Sequence, residues 1–109
     1  MNKVELHQEV ANKLNRVYAD KNHDYLDSFA VGYHLFDKMS IVQRLLDKWL
    51  RLFGLSYNKA KVKNESFKDS LLDIANYCIM TVIEIENDSP DDPARKLAEA
   101  LKELAGIEE

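Results

Sequence analysis

Phe67, Leu71, Ile74, Cys78, Val82 and Ile85 recur at intervals of three and four residues. That spacing places all six on one face of an α-helix and is too long and too irregular for a strand. Leu72, Ala75, Ile79 and Ile83 widen the face. The pattern predicts a long helix from Asn64, a suitable N-cap, to about Asn87. A second run, Ile41, Val42, Leu45, Leu46, Trp49, Leu50, Leu52 and Phe53, predicts a helix from Ser40 to Phe53. Ser40 and Gln43 form a capping-box pattern at its start, and Gly54 supplies a left-handed stop. This apolar set covers more than one face. A chain of 109 residues cannot bury both runs by itself, so a homo-oligomer is expected.

Val4, Val10, Leu14, Val17 and Tyr18 predict a helix from Lys3 to Lys21. Residues 21–29 are rich in Asn, Asp and Ser, which bond locally to the backbone, and read as a loop or broken turn before a short helix through Phe36. Residues 88–93 form a second break. Asp92 is placed to cap a last helix over about 92–105, with Pro93 at its first position, Leu97, Leu101 and Leu104 on one side, and Gly106 as its stop. Only three Gly and two Pro punctuate the chain, which argues against an all-β sandwich. The fold class is therefore all-α: one domain over 1–109, a bundle of about four antiparallel helices.

A formal net charge of −4 disfavours bulk nucleic-acid binding through phosphate neutralisation. No apolar stretch is long enough to span a bilayer, and the N-terminus lacks an apolar signal core, so no membrane association is expected. Cys78 is the single cysteine. It excludes an internal disulfide and a multi-cysteine zinc site, suits a reducing cytoplasm, and reads as a small core residue.

Three polar groups carry the candidate chemistry. Glu65, Asp69 and Asp73 share one helix face at i, i+4 and i+8. They read either as an acidic first turn favoured by the helix dipole or as oxygen ligands for a hard cation such as Mg²⁺. Arg44, Asp47, Lys48 and Arg51 line one side of the preceding helix. The alternatives there are a surface Asp47–Arg51 pair and a phosphate clamp of cations, with Asp47 a further metal ligand. The cluster Lys21, Asn22, His23, Asp24 and Tyr25 offers groups that recognise a base or ribose, or simply a turn anchored by Tyr25 and Phe29. Lys59, Lys61 and Lys63 read as a solvated basic connector able to approach a phosphate. No Gly-rich phosphate loop, HExxH or Cys/His pair with metal spacing is present.

The blocks Lys21-Asn22-His23-Asp24-Tyr25, Arg44-Leu45-Leu46-Asp47-Lys48-Trp49-Leu50-Arg51-Leu52 and Glu65-Ser66-Phe67-Lys68-Asp69-Ser70-Leu71-Leu72-Asp73-Ile74-Ala75-Asn76-Tyr77 resemble, in that order, the nucleotide-modification-associated domain of phages and bacteria. The resemblance covers about residues 5–86. That family in turn resembles the all-α MazG-like nucleotide pyrophosphatases, which hydrolyse nucleoside triphosphates around Mg²⁺. It implies a nucleotide or nucleotide-derived ligand. Lys21, Asp24, Tyr25, Arg44, Lys48 and Arg51 would bind it, and Asp47, Glu65 and Asp69 would hold Mg²⁺. The acidic helix of MazG-like enzymes is here replaced by Gln43, Arg44, Asp47, Lys48 and Arg51, which favours binding over two-metal hydrolysis. Three readings stay open: a cytoplasmic phage-type protein that sequesters a nucleotide defence signal in its host, a Mg²⁺-dependent pyrophosphatase, and an oligomeric helical interaction protein without a small ligand.

Overall fold

The structure is a computed structural model that describes residues 1–25, 27–58, 66–87 and 89–106. The described residues form five helices and no strand: α1 (Lys3–Asp24), α2 (Ser28–Phe36), α3 (Lys38–Leu55), α4 (Phe67–Glu86) and α5 (Pro93–Ala105). No helix is long and apolar enough to cross a membrane.

The helix ends follow from single side chains. Asn2 and Glu5 form a reciprocal capping box on α1. The chain stays helical past Lys21 to Asp24, so the expected loop shrinks to a tight turn at Asp27, whose backbone is left-handed (φ 55°, ψ 39°). Asp tolerates that conformation better than most residues. Asp37, with φ 56°, turns the chain again, and α3 starts at Lys38 rather than at Ser40. The Ser40 hydroxyl donates to the Asp37 carbonyl at 2.8 Å instead of capping amides. Gly54 is not a stop. It lies inside α3, and the Ser56 hydroxyl closes the end by donating to the Phe53 carbonyl. Ser66 caps α4 in a reciprocal box with Asp69, whereas Asn64 lies outside the described residues. Pro93 opens α5, and Gly106 ends it at φ 72° as expected.

α3 packs mainly on α4 and α2 on α5, while α2 also meets α3 and α4, and α1 runs against α4. The Asn76 amide donates to the Leu14 carbonyl at 3.2 Å, tying α4 to α1. Ala30, Val31, Ala94 and Ala98 form a buried cluster in which small side chains bring α2 and α5 close. Leu14, Phe29, Ile41 and Leu52 complete the buried apolar set.

α4 corrects the simplest reading of its sequence. Its apolar stripe does not face the chain's own core: Leu71, Val82 and Ile85 are exposed, and so is Cys78. The buried residues of α4 are Ser70 and Glu84. α3 behaves alike. Val42, Leu46, Trp49, Leu50 and Phe53 form an exposed stripe, with Trp49 60% accessible, while Ile41 and Leu52 point inward. The chain is elongated, 48 × 31 × 22 Å, with a radius of gyration of 16.3 Å. A compact domain of this length has a radius near 13 Å. Its accessible surface is 8495 Å², against about 6,200 Å² for a compact monomer of this mass. Two neighbouring helices thus present apolar stripes that the chain itself leaves uncovered.

Candidate functional site

Polar and aromatic side chains, several of them exposed, border a cavity of about 220 Å³ between α1, α2, α3 and α4. α1 supplies Tyr18, Lys21 and Asn22, with Tyr25 directly after it. Ser28 and Phe29 come from the start of α2, and Arg44 from α3. Asp73, Asn76, Tyr77 and Met80 recur at i, i+3, i+4 and i+7 and line the α4 wall.

The aromatic residues hold Arg44 in place. The Phe29 and Tyr77 rings are stacked, 5.8 Å apart with planes 9° from parallel. The Arg44 guanidinium carbon lies 5.3 Å from the Phe29 ring centre and 5.9 Å from that of Tyr77. A guanidinium on aromatic faces is attracted by their quadrupoles and restricted in rotation, while its N–H groups remain available at its edge. Across the cavity mouth Lys48 Nζ lies 2.9 Å from Asp73 Oδ2. Tyr18 has its phenol pushed above the usual range by burial and then by Asp27 and Glu84, so its hydroxyl is a stable donor.

Of the expected ligand residues, Lys21, Tyr25 and Arg44 line the cavity. Lys48 reaches it through Asp73. Asp24 does not line it; its carboxylate sits 3.2 Å from His23 Nδ1 with both side chains exposed. Arg51 is half-buried and does not line it either.

Of the expected metal ligands, Asp47 and Asp69 lie within the described residues. Asp47 is exposed on α3. Asp69 spends its carboxylate on the α4 cap, accepting from the Ser66 hydroxyl at 2.6 Å and from the Ser66 amide at 3.1 Å. Those bonds hold it below the usual carboxylate range. Glu65, with Lys59, Lys61 and Lys63, lies outside the described residues. Among the described residues, Asp47 and Asp69 belong to no group of three donors close enough to share an ion. Mg²⁺ requires near-octahedral oxygen ligation. Among the described residues, the one carboxylate that lines the cavity is Asp73, which is paired with Lys48. The described residues therefore do not fit a resident Mg²⁺ cluster.

Tyr18, Ser28, Asn76, Tyr77 and Met80 line the cavity without a role read from the sequence, and Phe29, expected only to anchor the turn, lines it as well. Their signal was present but local: Asp73, Asn76 and Tyr77 form a polar patch at helical spacing, opposite the apolar stripe of α4.

No curated protein and no solved structure matches the chain. A family model, nucleotide modification associated domain 1, matches residues 21–85. The match begins at Lys21 and ends at Ile85, so it contains every cavity residue except Tyr18. The chain belongs to the nucleotide modification associated domain 1 family.

Proposed function

We propose that this protein binds a nucleotide or nucleotide-derived small molecule in the cavity between α1 and α4 and releases it unchanged. The observation that carries this reading is convergence. Three blocks distant in sequence bring Lys21 and Tyr25, then Arg44, then Asp73, Asn76 and Tyr77 to one cavity. A ring-held guanidinium and an ammonium suit phosphate oxygens, through charge-assisted bonds of about 1.5–3 kcal/mol each. Tyr25, exposed at the rim, offers a flat face for a base. The amide of Asn76 and the phenol of Tyr18 suit base or ribose polar atoms.

Binding is favoured over hydrolysis because cations stand where a MazG-like pyrophosphatase holds carboxylates, and because Asp73 is paired with Lys48. On the resemblance of the three blocks, we place the fold in the MazG-like superfamily and read the biological role as sequestration of a nucleotide defence signal by a phage-type protein in a host cytoplasm. A second copy of the chain is the natural cover for the apolar stripes of α3 and α4, since the excess surface of roughly 2,000 Å² per chain exceeds what a standard interface removes from one partner.

The test is incubation with a panel of linear and cyclic nucleotides, in Mg²⁺ and in EDTA, with chromatography of the supernatant and of ligand released by heating. Unchanged ligand recovered from the protein in both conditions is expected. Products that appear only with Mg²⁺ would replace binding with pyrophosphohydrolysis. Retention of no nucleotide would leave an interaction protein without a small ligand.

A further inference from the structure

At the other end of α4, three donors from three helices converge away from solvent. His34 Nε2 on α2 lies 3.6 Å from Glu84 Oε1 on α4 and 3.6 Å from Asp92 Oδ2 at the start of α5. The three side chains are 10%, 7% and 13% accessible. None of these three atoms has a hydrogen-bond partner among the described residues. Leaving buried polar atoms unpaired is costly, more so for charged groups, so three at one point call for a common partner.

Asp92 strengthens the case. It occupies the N-cap of α5 yet makes no side-chain cap hydrogen bond. A capping Asp ordinarily stabilises its helix through that bond. Here its carboxylate is turned to His34 instead.

We propose that His34 Nε2, Glu84 Oε1 and Asp92 Oδ2 bind one divalent first-row transition-metal ion, of the Zn²⁺ or Mn²⁺ class, that clamps the start of α5 to α2 and α4. The donor atoms all lie within 4.8 Å of one another. A separation of 3.6 Å is too long for a hydrogen bond. It matches the edge of a tetrahedral sphere, about 3.4 Å for bonds of about 2.0–2.2 Å. An imidazole with two carboxylates selects such ions over Mg²⁺ and Ca²⁺, which prefer oxygen alone.

The surrounding charge agrees. Asp27 is a third, half-buried carboxyl that acts on Glu84, and Arg95 is the cation that acts on it. Asp27, Glu84 and Asp92 thus bring three carboxyl groups together around the His34 ring. A groove lined by His34, Arg95, Ala98, Glu99, Lys102 and Glu103 opens beside the His34 ring and gives an ion a route from solvent. The ion would staple α5, whose main packing is on α2, to the rest of the chain.

The experiment uses the full chain, stripped with EDTA and free of nucleotide. Co²⁺ and Zn²⁺ are titrated by visible absorption and calorimetry, and the histidine rings are followed by nitrogen NMR. One ion per chain is expected, with the ring shift confined to His34 and absent from the exposed His7 and His23. His34→Gln and Glu84→Gln should each weaken binding tenfold or more. A wild-type chain that takes up no Co²⁺, Zn²⁺ or Mn²⁺ would overturn the proposal. So would a shift carried by His7 or His23, or variants that titrate like wild type. If a variant loses its helical signal, the NMR result on the wild-type chain decides alone. Nucleotide retention does not enter, so this site stands or falls apart from the cavity.

Discussion

Lys48 Nζ and Asp73 Oδ2 are 2.9 Å apart, joining α3 to α4 at the edge of the cavity. Both side chains are partly shielded, 24% and 34% accessible. The pair therefore does more than an exposed ion pair, whose worth is about 0–1 kcal/mol. It sets the charge that a phosphate meets. Lys48→Met should leave Asp73 as an uncompensated anion and weaken nucleotide binding about tenfold, a change of ~1.4 kcal/mol. Adding Asp73→Asn to it should recover most of the loss. Calorimetry on the two single variants and the double variant gives the coupling directly; additive losses would mean that Asp73 contacts the ligand itself.

Arg44 and Arg51 lie about two turns apart on α3 but are unequal in the structure. Arg44 lines the cavity on two aromatic faces, and Arg51 does not line it. Arg44→Ala should cost tenfold or more in nucleotide affinity and lower the melting temperature slightly, as a cation–π contact worth roughly 0.5–1 kcal/mol is lost. Arg44→Lys should restore only part, because an ammonium lacks the planar fork. Arg51→Ala should instead lower stability by about 1 kcal/mol, through lost packing of a half-buried side chain, and leave affinity within twofold. Equal affinity losses for both alanine variants would place the phosphate further along α3.

The helices themselves were legible in the sequence, because their apolar periods are long and their breaks are rich in Asp, Ser, Pro and Gly. Pro93 and Gly106 stand where their chemistry requires. The direction of the stripes was not legible. Periodicity identifies Leu71, Val82 and Ile85 as one face, yet nothing in one chain states what covers that face. The breaks before α2 and before α3 were legible, but their exact turns at Asp27 and Asp37 were not, because positive-φ Asp carries no sequence mark comparable to Gly. Ser66 and Asn64 are equally good N-caps by type, and only the reciprocal bond to Asp69 favours the serine. For the site, Lys21, Tyr25 and Arg44 could be named from residue type, whereas the Phe29–Tyr77 stack joins residues on separate helices and exists only once α2 meets α4.

The exposed stripes predict assembly. Light scattering at micromolar concentration should give at least twice the chain mass of 12.6 kDa. Trp49→Asp should shift the chain toward monomer. It should cost little in the helicity of the monomer, because Trp49 is already exposed there. A wild-type monomer would leave the apolar faces of α3 and α4 without a second copy as their cover.

The buried cluster sets the pH dependence of the metal-free chain. Glu84 is pushed up to about 6 by burial and then by Asp27 and Asp92, with Arg95 opposing. Asp27 moves in the same direction, by burial and then Asp92. A carboxyl raised in the folded state holds its proton more tightly there than in the unfolded chain. Its contribution to stability is therefore complete below the ordinary Glu value of 4.5 and is lost as pH rises through about 6. Solvent in the adjoining groove screens the effect, so it should amount to about 1 kcal/mol. Asp69 has the opposite sign: its contribution is present above its ordinary value of 3.8 and fades only as pH falls below it, outside this window. The melting temperature of EDTA-treated protein should fall between pH 4.5 and 7, and Glu84→Gln should flatten that fall. Saturating Zn²⁺ should reverse the slope, because ligand atoms must be deprotonated to hold the ion and metal binding strengthens as protons leave. A slope unchanged by Zn²⁺ would mean that no ion binds among His34, Glu84 and Asp92.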